Sequence, residues 1–248
     1  MFLVGSVHGD IDIDFEQTPG GLSPIDNAQL DRNAAYIGEG VAVTFGFDTD
    51  GDGATDENAV FEKSGADEKE GFISTFGTSM FDSERQDSVE SLGGFSIRGN
   101  LAGGVLGDFW IAFDADVDHV KGEVWDIDAF ANGQTYEQWR VTAFDNDGNQ
   151  VASMDSPRGL AFDDPASLDS LAWVFSLRGD GIRRVRIKHI GTSEDDQRGF
   201  LFNNIEASVN ESARELYVFN HGFEKPAARF TPGLPIGWKA FKPNDPGL

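Results

Sequence analysis

Polar and apolar residues alternate in short runs along much of this chain. The run DIDIDF (10–15) changes character at every residue, the period of a half-buried strand. GVAVTFGF (40–47) follows as a short apolar run, and GGFSIRG (93–99), DFWIAFDA (108–115) and VKGEVWDIDAF (120–130) continue the pattern. In QWRVTAFDNDGNQVASMD (138–155) two alternating runs meet at Asp147-Gly148, a dipeptide suited to tight hairpins. LAWVFSL (171–177), GIRRVRIKHI (181–190) and RGFLFNNIEASV (198–209) complete the set. Val185, Ile187 and Ile190 interleave with Arg and Lys, so one face of that strand should be wet. No long amphipathic helical period occurs. About nine or ten short strands separated by turn signals predict an all-β fold, a two-sheet β-sandwich.

Between these runs, 62–70, 82–91 and 155–170 are polar, charged and aperiodic, and read as long acidic loops. Residues 1–9 read as an N-terminal extension and 10–209 as the β domain. Five of the nine prolines fall within 226–246, so 210–248 reads as a linker or tail. MFLVGSV at the start is too short for a secretory signal and follows no basic region; if the natural protein is exported, its signal has been removed or lies upstream. No apolar run approaches the ~18 residues of a membrane-spanning helix.

Composition sharpens the picture. Twenty-one Phe and five Trp among 248 residues favour strands, and thirty Gly supply turns. The formal net charge of −24 argues against nucleic acid, whose binding needs clustered Lys and Arg, and against an anionic membrane surface. It suits a protein that lives in salt or holds divalent cations; solubility alone is the alternative. The chain has no Cys, which leaves its redox compartment open because a core of this size needs no disulfide.

The most specific chemical signal is FGFDTDGDGATDENAV (45–60), where four aspartates and a glutamate stand between Asp48 and Glu57. Asp48, Asp50, Asp52, Gly53 and Asp56 fit positions 1, 3, 5, 6 and 9 of a D-x-D-x-D-G-x-x-D calcium loop. Ca²⁺ takes six to eight oxygens, a tight loop can turn alternate carboxylates inward, and the carbonyl of Ala54 would add another. Ala59 stands where an EF-hand places its bidentate Glu, so the loop is not an EF-hand. It is similar to thrombospondin-type or dockerin-like calcium loops completed from elsewhere in the fold. A solvated acidic turn is the alternative.

Three further stretches together resemble a family. IDIDFEQTPGG carries a Phe-Glu pair, FLFNNIEAS stands in the place of a final strand, and WIAFDADVDHVKGEVWDIDAF with WRVTAFDNDGNQVASMD resembles paired central strands. Their order over residues 10–209 resembles the galactose-binding-like β-jelly rolls of exported bacterial proteins, among them PEP-CTERM-type proteins and carbohydrate-binding modules. The resemblance implies an extracellular or cell-surface module of a larger polypeptide that binds polysaccharide. It also implies a structural Ca²⁺ joining Glu16 to Asn203 or Asn204, with Glu206 nearby. The family's usual final-strand Asp is Asn here, which keeps an oxygen and removes a charge. FNHGFEKP with LPIGW resembles the opening of a second such module, so 210–248 would begin one; a tail packed on the first domain is the alternative.

A glycan would be held by aromatic faces and cations. Trp110, Trp125, Trp139 and Trp173 lie in strand-like runs, most of them destined for the core; Tyr136 and Trp139, near a loop–strand junction, are the candidates for stacking, with Arg140 beside them. Arg140, Arg184, Arg186 and Lys188 are the clustered cations, either a solvated strand face or a stripe suited to an anionic polysaccharide. Catalytic residues are unassigned. A polysaccharide lyase would use Tyr136 or His189 near Arg140, and a glycoside hydrolase a pair such as Asp126 and Asp128, which otherwise lie on a solvated strand face. Asp114, Asp116 and Asp118 also alternate, as they would along a strand end or loop. The four His form no zinc pattern, and no nucleophile elbow or phosphate loop occurs. The leading expectation is a calcium-stabilised binding module; an enzyme on the same fold, or a calcium-dependent structural or adhesive domain, are the alternatives.

Overall fold

The computed structural model describes residues 9–65, 84–99, 107–129, 135–161, 163–193 and 201–209, all within one compact unit, Met1–Val209. The expected second module in 210–248 lies outside the described residues, as do parts of the loops expected at 62–70 and 82–91. Among the described residues the structure is all β. The strands are β1 (Gly9–Ile13), β2 (Gln29–Leu30), β3 (Tyr36–Gly38), β4 (Val41–Asp48), β5 (Ala59–Lys63), β6 (Phe95–Arg98), β7 (Asp108–Ala129), β8 (Trp139–Phe144), β9 (Gln150–Asp155), β10 (Leu160–Ala161), β11 (Leu168–His189) and β12 (Leu201–Val209).

They form one 12-stranded sheet in the order β2-β5-β6-β12-β7-β11-β8-β9, with β1 on β12, β10 and β4 on β7, and β3 on β4. Two separate sheets were the expectation. The difference lies in β7 and β11, each 22 residues long. The sequence divides each into two strands, and Gly179-Asp180-Gly181 has the composition of a turn. In the fold β11 runs on through that segment. Its pairing with β7 shifts register between Arg178 and Ile182, and again before Arg184, as strands do at bulges. Gly181, at φ 69°, takes a backbone conformation that L side chains disfavour.

The first part of β7 pairs with β4 and the last part with β12. Side chains from both parts share one core. Phe109 of β7 stacks on Phe202 of β12 with ring centroids 4.4 Å apart, Phe47 of β4 reaches the same ring at 6.3 Å, and Phe15 meets Phe45 at 5.1 Å. The sheet therefore curls to bury its own apolar face. β8 and β9 form the expected hairpin. Its turn is fixed by Asp145, whose carboxylate accepts the backbone N–H groups of Asp147 and Asn149 at 2.9 and 2.8 Å.

Candidate functional site

β4 delivers Asp48 to the start of the acidic loop with its side chain buried. Bonds from Phe47 N to Glu57 O at 2.9 Å, and from Asp56 N to Phe47 O at 2.8 Å, close the loop at its base. Inside it Asp48 accepts the N–H groups of Gly51 and Gly53 at 2.7 and 2.8 Å. Both glycines have positive φ, 80° and 88°, so the sharp bend needs residues without a Cβ. Asp56 accepts from the Thr49 N–H and hydroxyl at 3.1 and 2.8 Å. Desolvation works against it, but these bonds hold the Asp56 carboxyl below its ordinary range, so it stays ionised and able to ligate.

Asp48, Asp50 and Asp56 each offer an oxygen within 4.8 Å of the others. Asp48 is buried, and Asp50 and Asp56 are exposed. Carboxylates this close repel by about 1–4 kcal/mol per pair, depending on the local dielectric, and a divalent cation reverses the sign. Asp52 is outside the group; its carboxylate accepts the Ala54 N–H at 2.8 Å. Arg184 of β11 donates to the carbonyl of Gly53 and Arg32 to that of Asp56, tying the loop to the sheet and to the chain before β3.

The second expected cation site draws on distant segments. Glu16 accepts the N–H groups of Gly94 and Phe95. A Cβ on Gly93 would stand 2.5 Å from Glu16 Oε1 and 4.0 Å from Asn203 Nδ2, so both side chains converge on the Gly93-Gly94 turn. Asn203 is buried; its Nδ2 donates to Leu92 O at 2.7 Å, while its Oδ1 has no hydrogen-bond partner. A buried oxygen without a donor is costly unless a cation or water meets it, and an amide oxygen is a ligand type that hard cations take. Asn204 turns elsewhere, donating to Glu123 at 2.9 Å. Glu206 pairs with Lys121 at 2.7 Å and stands opposite Asp12 in the β1–β12 ladder.

Glu123 is the residue the sequence does not single out. Its register on β7 places it opposite Asn203. Burial raises its pKa, against the opposing hydrogen bonds from Trp125 and Asn204.

The expected sugar platform is not built from Trp139. That residue is 1% exposed and packs edge-on against Phe202 and His189, because Trp139, Val141 and Ala143 share the inward parity of β8. Arg140, of opposite parity, is exposed and forks Asp155 at 2.6 and 2.8 Å. Tyr136 is half-buried beneath the Arg158 guanidinium, 3.8 Å from the ring centroid.

Asp126 and Asp128 do not line a solvated face. Asp126 is buried at φ 68° and accepts the Ser170 N–H at 2.8 Å. Burial, then Asp128, Glu137 and Asp169, raise its pKa well above the ordinary value. Burial and then Asp169 push Asp128 up to about 7.

No family model matches this chain, and no curated protein matches it. Among solved structures it is similar to the K2 cleaved adhesin domain of Lys-gingipain, with 14% identity and a TM-score of 0.40 over 80% of this chain and 98% of that one. A likeness this slight assigns neither family nor function.

Proposed function

We propose that this chain is an extracellular or cell-surface, calcium-stabilised module with a jelly-roll topology, acting as a structural or adhesive binding domain and not as an enzyme. The convergence of Asp48, Asp50 and Asp56 in a closed loop carries the reading. Ca²⁺ in that loop replaces mutual repulsion with attraction and fixes a long connection. Glu16 and Asn203 supply a second cation position, supported by the orphaned Asn203 Oδ1. Polysaccharide is the ligand class that the family resemblance implies.

Calorimetric titration of metal-free protein tests this. The expected stoichiometry is two Ca²⁺, with affinities in the ~10⁻⁴–10⁻³ M range of extracellular modules. Asp50→Asn should remove one of the two. At ~100 times the dissociation constant, each site should add about 2.7 kcal/mol to unfolding. Identical melting in saturating Ca²⁺ and in EDTA would overturn the reading.

A further inference from the structure

We propose that the outward face of β11, β8 and β9, beside the acidic loop that covers β4, binds a polyanionic polysaccharide, one carrying carboxylate or sulfate groups, and does so only when that loop is loaded with Ca²⁺. The inference rests on the calcium reading of that loop.

Sheet register assembles the face. Gly46, Trp110, Arg186, Thr142 and Ser153 lie in one row across β4, β7, β11, β8 and β9. Ala112, Arg184, Phe144 and Gln150 lie in the next. Lys188, Arg140 and Asp155 lie on the other side of the first. Their neighbours of opposite parity, such as Phe109, Ile111, Val185 and Ile187, are buried in the core, so the polar set is turned away from it.

The cations sit on an aromatic floor. The Arg184 guanidinium lies 4.1 Å from the Trp110 ring centroid. That of Arg186 lies 5.7 Å from Trp110 and 5.4 Å from Phe144. Such stacking orients a guanidinium fork before any ligand arrives. Of the four cations Arg140, Arg184, Arg186 and Lys188, three share two carboxylates in ion pairs, and Arg184 lies near Asp48. Arg186 and Lys188 both approach Asp108, at 3.8 and 3.3 Å, and Arg140 holds Asp155.

With Ca²⁺ neutralising the loop carboxylates, this leaves a local surplus of positive charge on a chain of net charge −24. Donors are in surplus as well. Arg186 Nε and Trp110 Nε1, side by side in one row, are buried without an acceptor. Next to them Arg140, Gln150, Ser153, Met154 and Asp155 line a shallow depression of about 420 Å³.

Spacing selects the ligand. Cations recur at every second residue of β11, about 6.8 Å apart. Duplex DNA carries a charge every ~1.7 Å and would be repelled by the rest of so acidic a chain. A glycan with one charge per sugar or per disaccharide matches the sparser row.

Calcium enters through Arg184. Its guanidinium holds the Gly53 carbonyl. Burial lowers its pKa, and the nearby Asp48 opposes that shift. The loop aspartates therefore border the cationic face, and without Ca²⁺ their charge repels a polyanion from it.

The test is affinity electrophoresis of the full chain in gels containing dextran, carboxymethyl-dextran or dextran sulfate, in Ca²⁺ and in EDTA. Arg186→Gln/Lys188→Gln is compared with Lys63→Gln/Arg178→Gln, which changes net charge equally on exposed positions elsewhere. The expected result is retardation by the charged dextrans in Ca²⁺ alone. It should weaken at least tenfold in the first double variant and persist in the second. Absence of retardation while Ca²⁺ still raises the melting temperature would overturn this proposal and leave the calcium reading standing. Equal behaviour of the two double variants, equal binding to uncharged dextran, retention in EDTA, or preferential binding of duplex DNA would each overturn it as well.

Discussion

Asp128 should make this protein less stable as pH rises through neutrality. Its pKa moves from the ordinary 3.8 to about 7 in the fold, through burial first and then Asp169. A carboxyl with a raised folded pKa favours the protonated state. Its stabilising contribution is therefore complete below the unfolded value, falls as pH passes ~4, and is exhausted above about 7. Moving from 3.8 to about 7 corresponds to a total swing of about 4 kcal/mol. Near pH ~5.5 the unfolded chain has already ionised this group, so about half of that swing remains to be lost between pH ~5.5 and pH ~8.5, or about 2 kcal/mol.

Asp126 is shifted in the same direction, so the wild type should lose at least that much from the pair. Asp128→Asn removes one titrating group while keeping its size. Urea denaturation of both proteins across this range, at constant excess Ca²⁺, gives the two curves. The variant should gain about 2 kcal/mol on the wild type between the two ends of the range. Parallel curves would refute the reasoning, because they would mean that Asp128 titrates alike in the folded and unfolded chains.

Two further outcomes follow from the core. Phe202 is fully buried against Phe109, Phe47 and Trp139, so Phe202→Ala should cost about 3–5 kcal/mol, read as a shift of the denaturation midpoint; the exposed Leu22→Ala should change little. Glu62→Ala leaves the buried Arg98 guanidinium without its carboxylate and should cost about 3–5 kcal/mol; a loss below about 1 kcal/mol, the scale of an exposed pair, would refute the burial argument.

What could be read in the sequence was local. The 147–148 hairpin and the alternation of 10–13 and 182–188 need only neighbouring residues. The acidic loop was legible for the same reason, since Asp48, Asp50 and Asp56 lie within nine positions. Asp52 stands outside the group, because position in a motif does not by itself fix where a carboxylate points. The aromatic assignment failed on parity. Trp139 and Trp110 both occupy apolar strands, and only register decides which ring faces the core; a shift of one residue would exchange their roles. The continuity of β7 and β11 was hidden because a bulge and a turn share a composition. Glu123, Glu137 and Asp169 gain their environments from partners far along the chain, which no local period encodes.

The pairing of β1 with β12 sets how this body would bear load. Gly9 lies opposite Val209, and the strands run antiparallel from there to Ile13 and Ile205. Chain entering at Gly9 and leaving at Val209 does so at one end of the same ladder. Tension between those points would open the ladder as a zipper, one residue pair at a time, instead of shearing five pairs together. The first strand to yield would be the one leading into Phe15 and Glu16, so pulling would loosen the Gly93-Gly94 turn long before the acidic loop. Placed in tension between neighbours, such a body would give first at its seam, while β7 and β11 stayed whole.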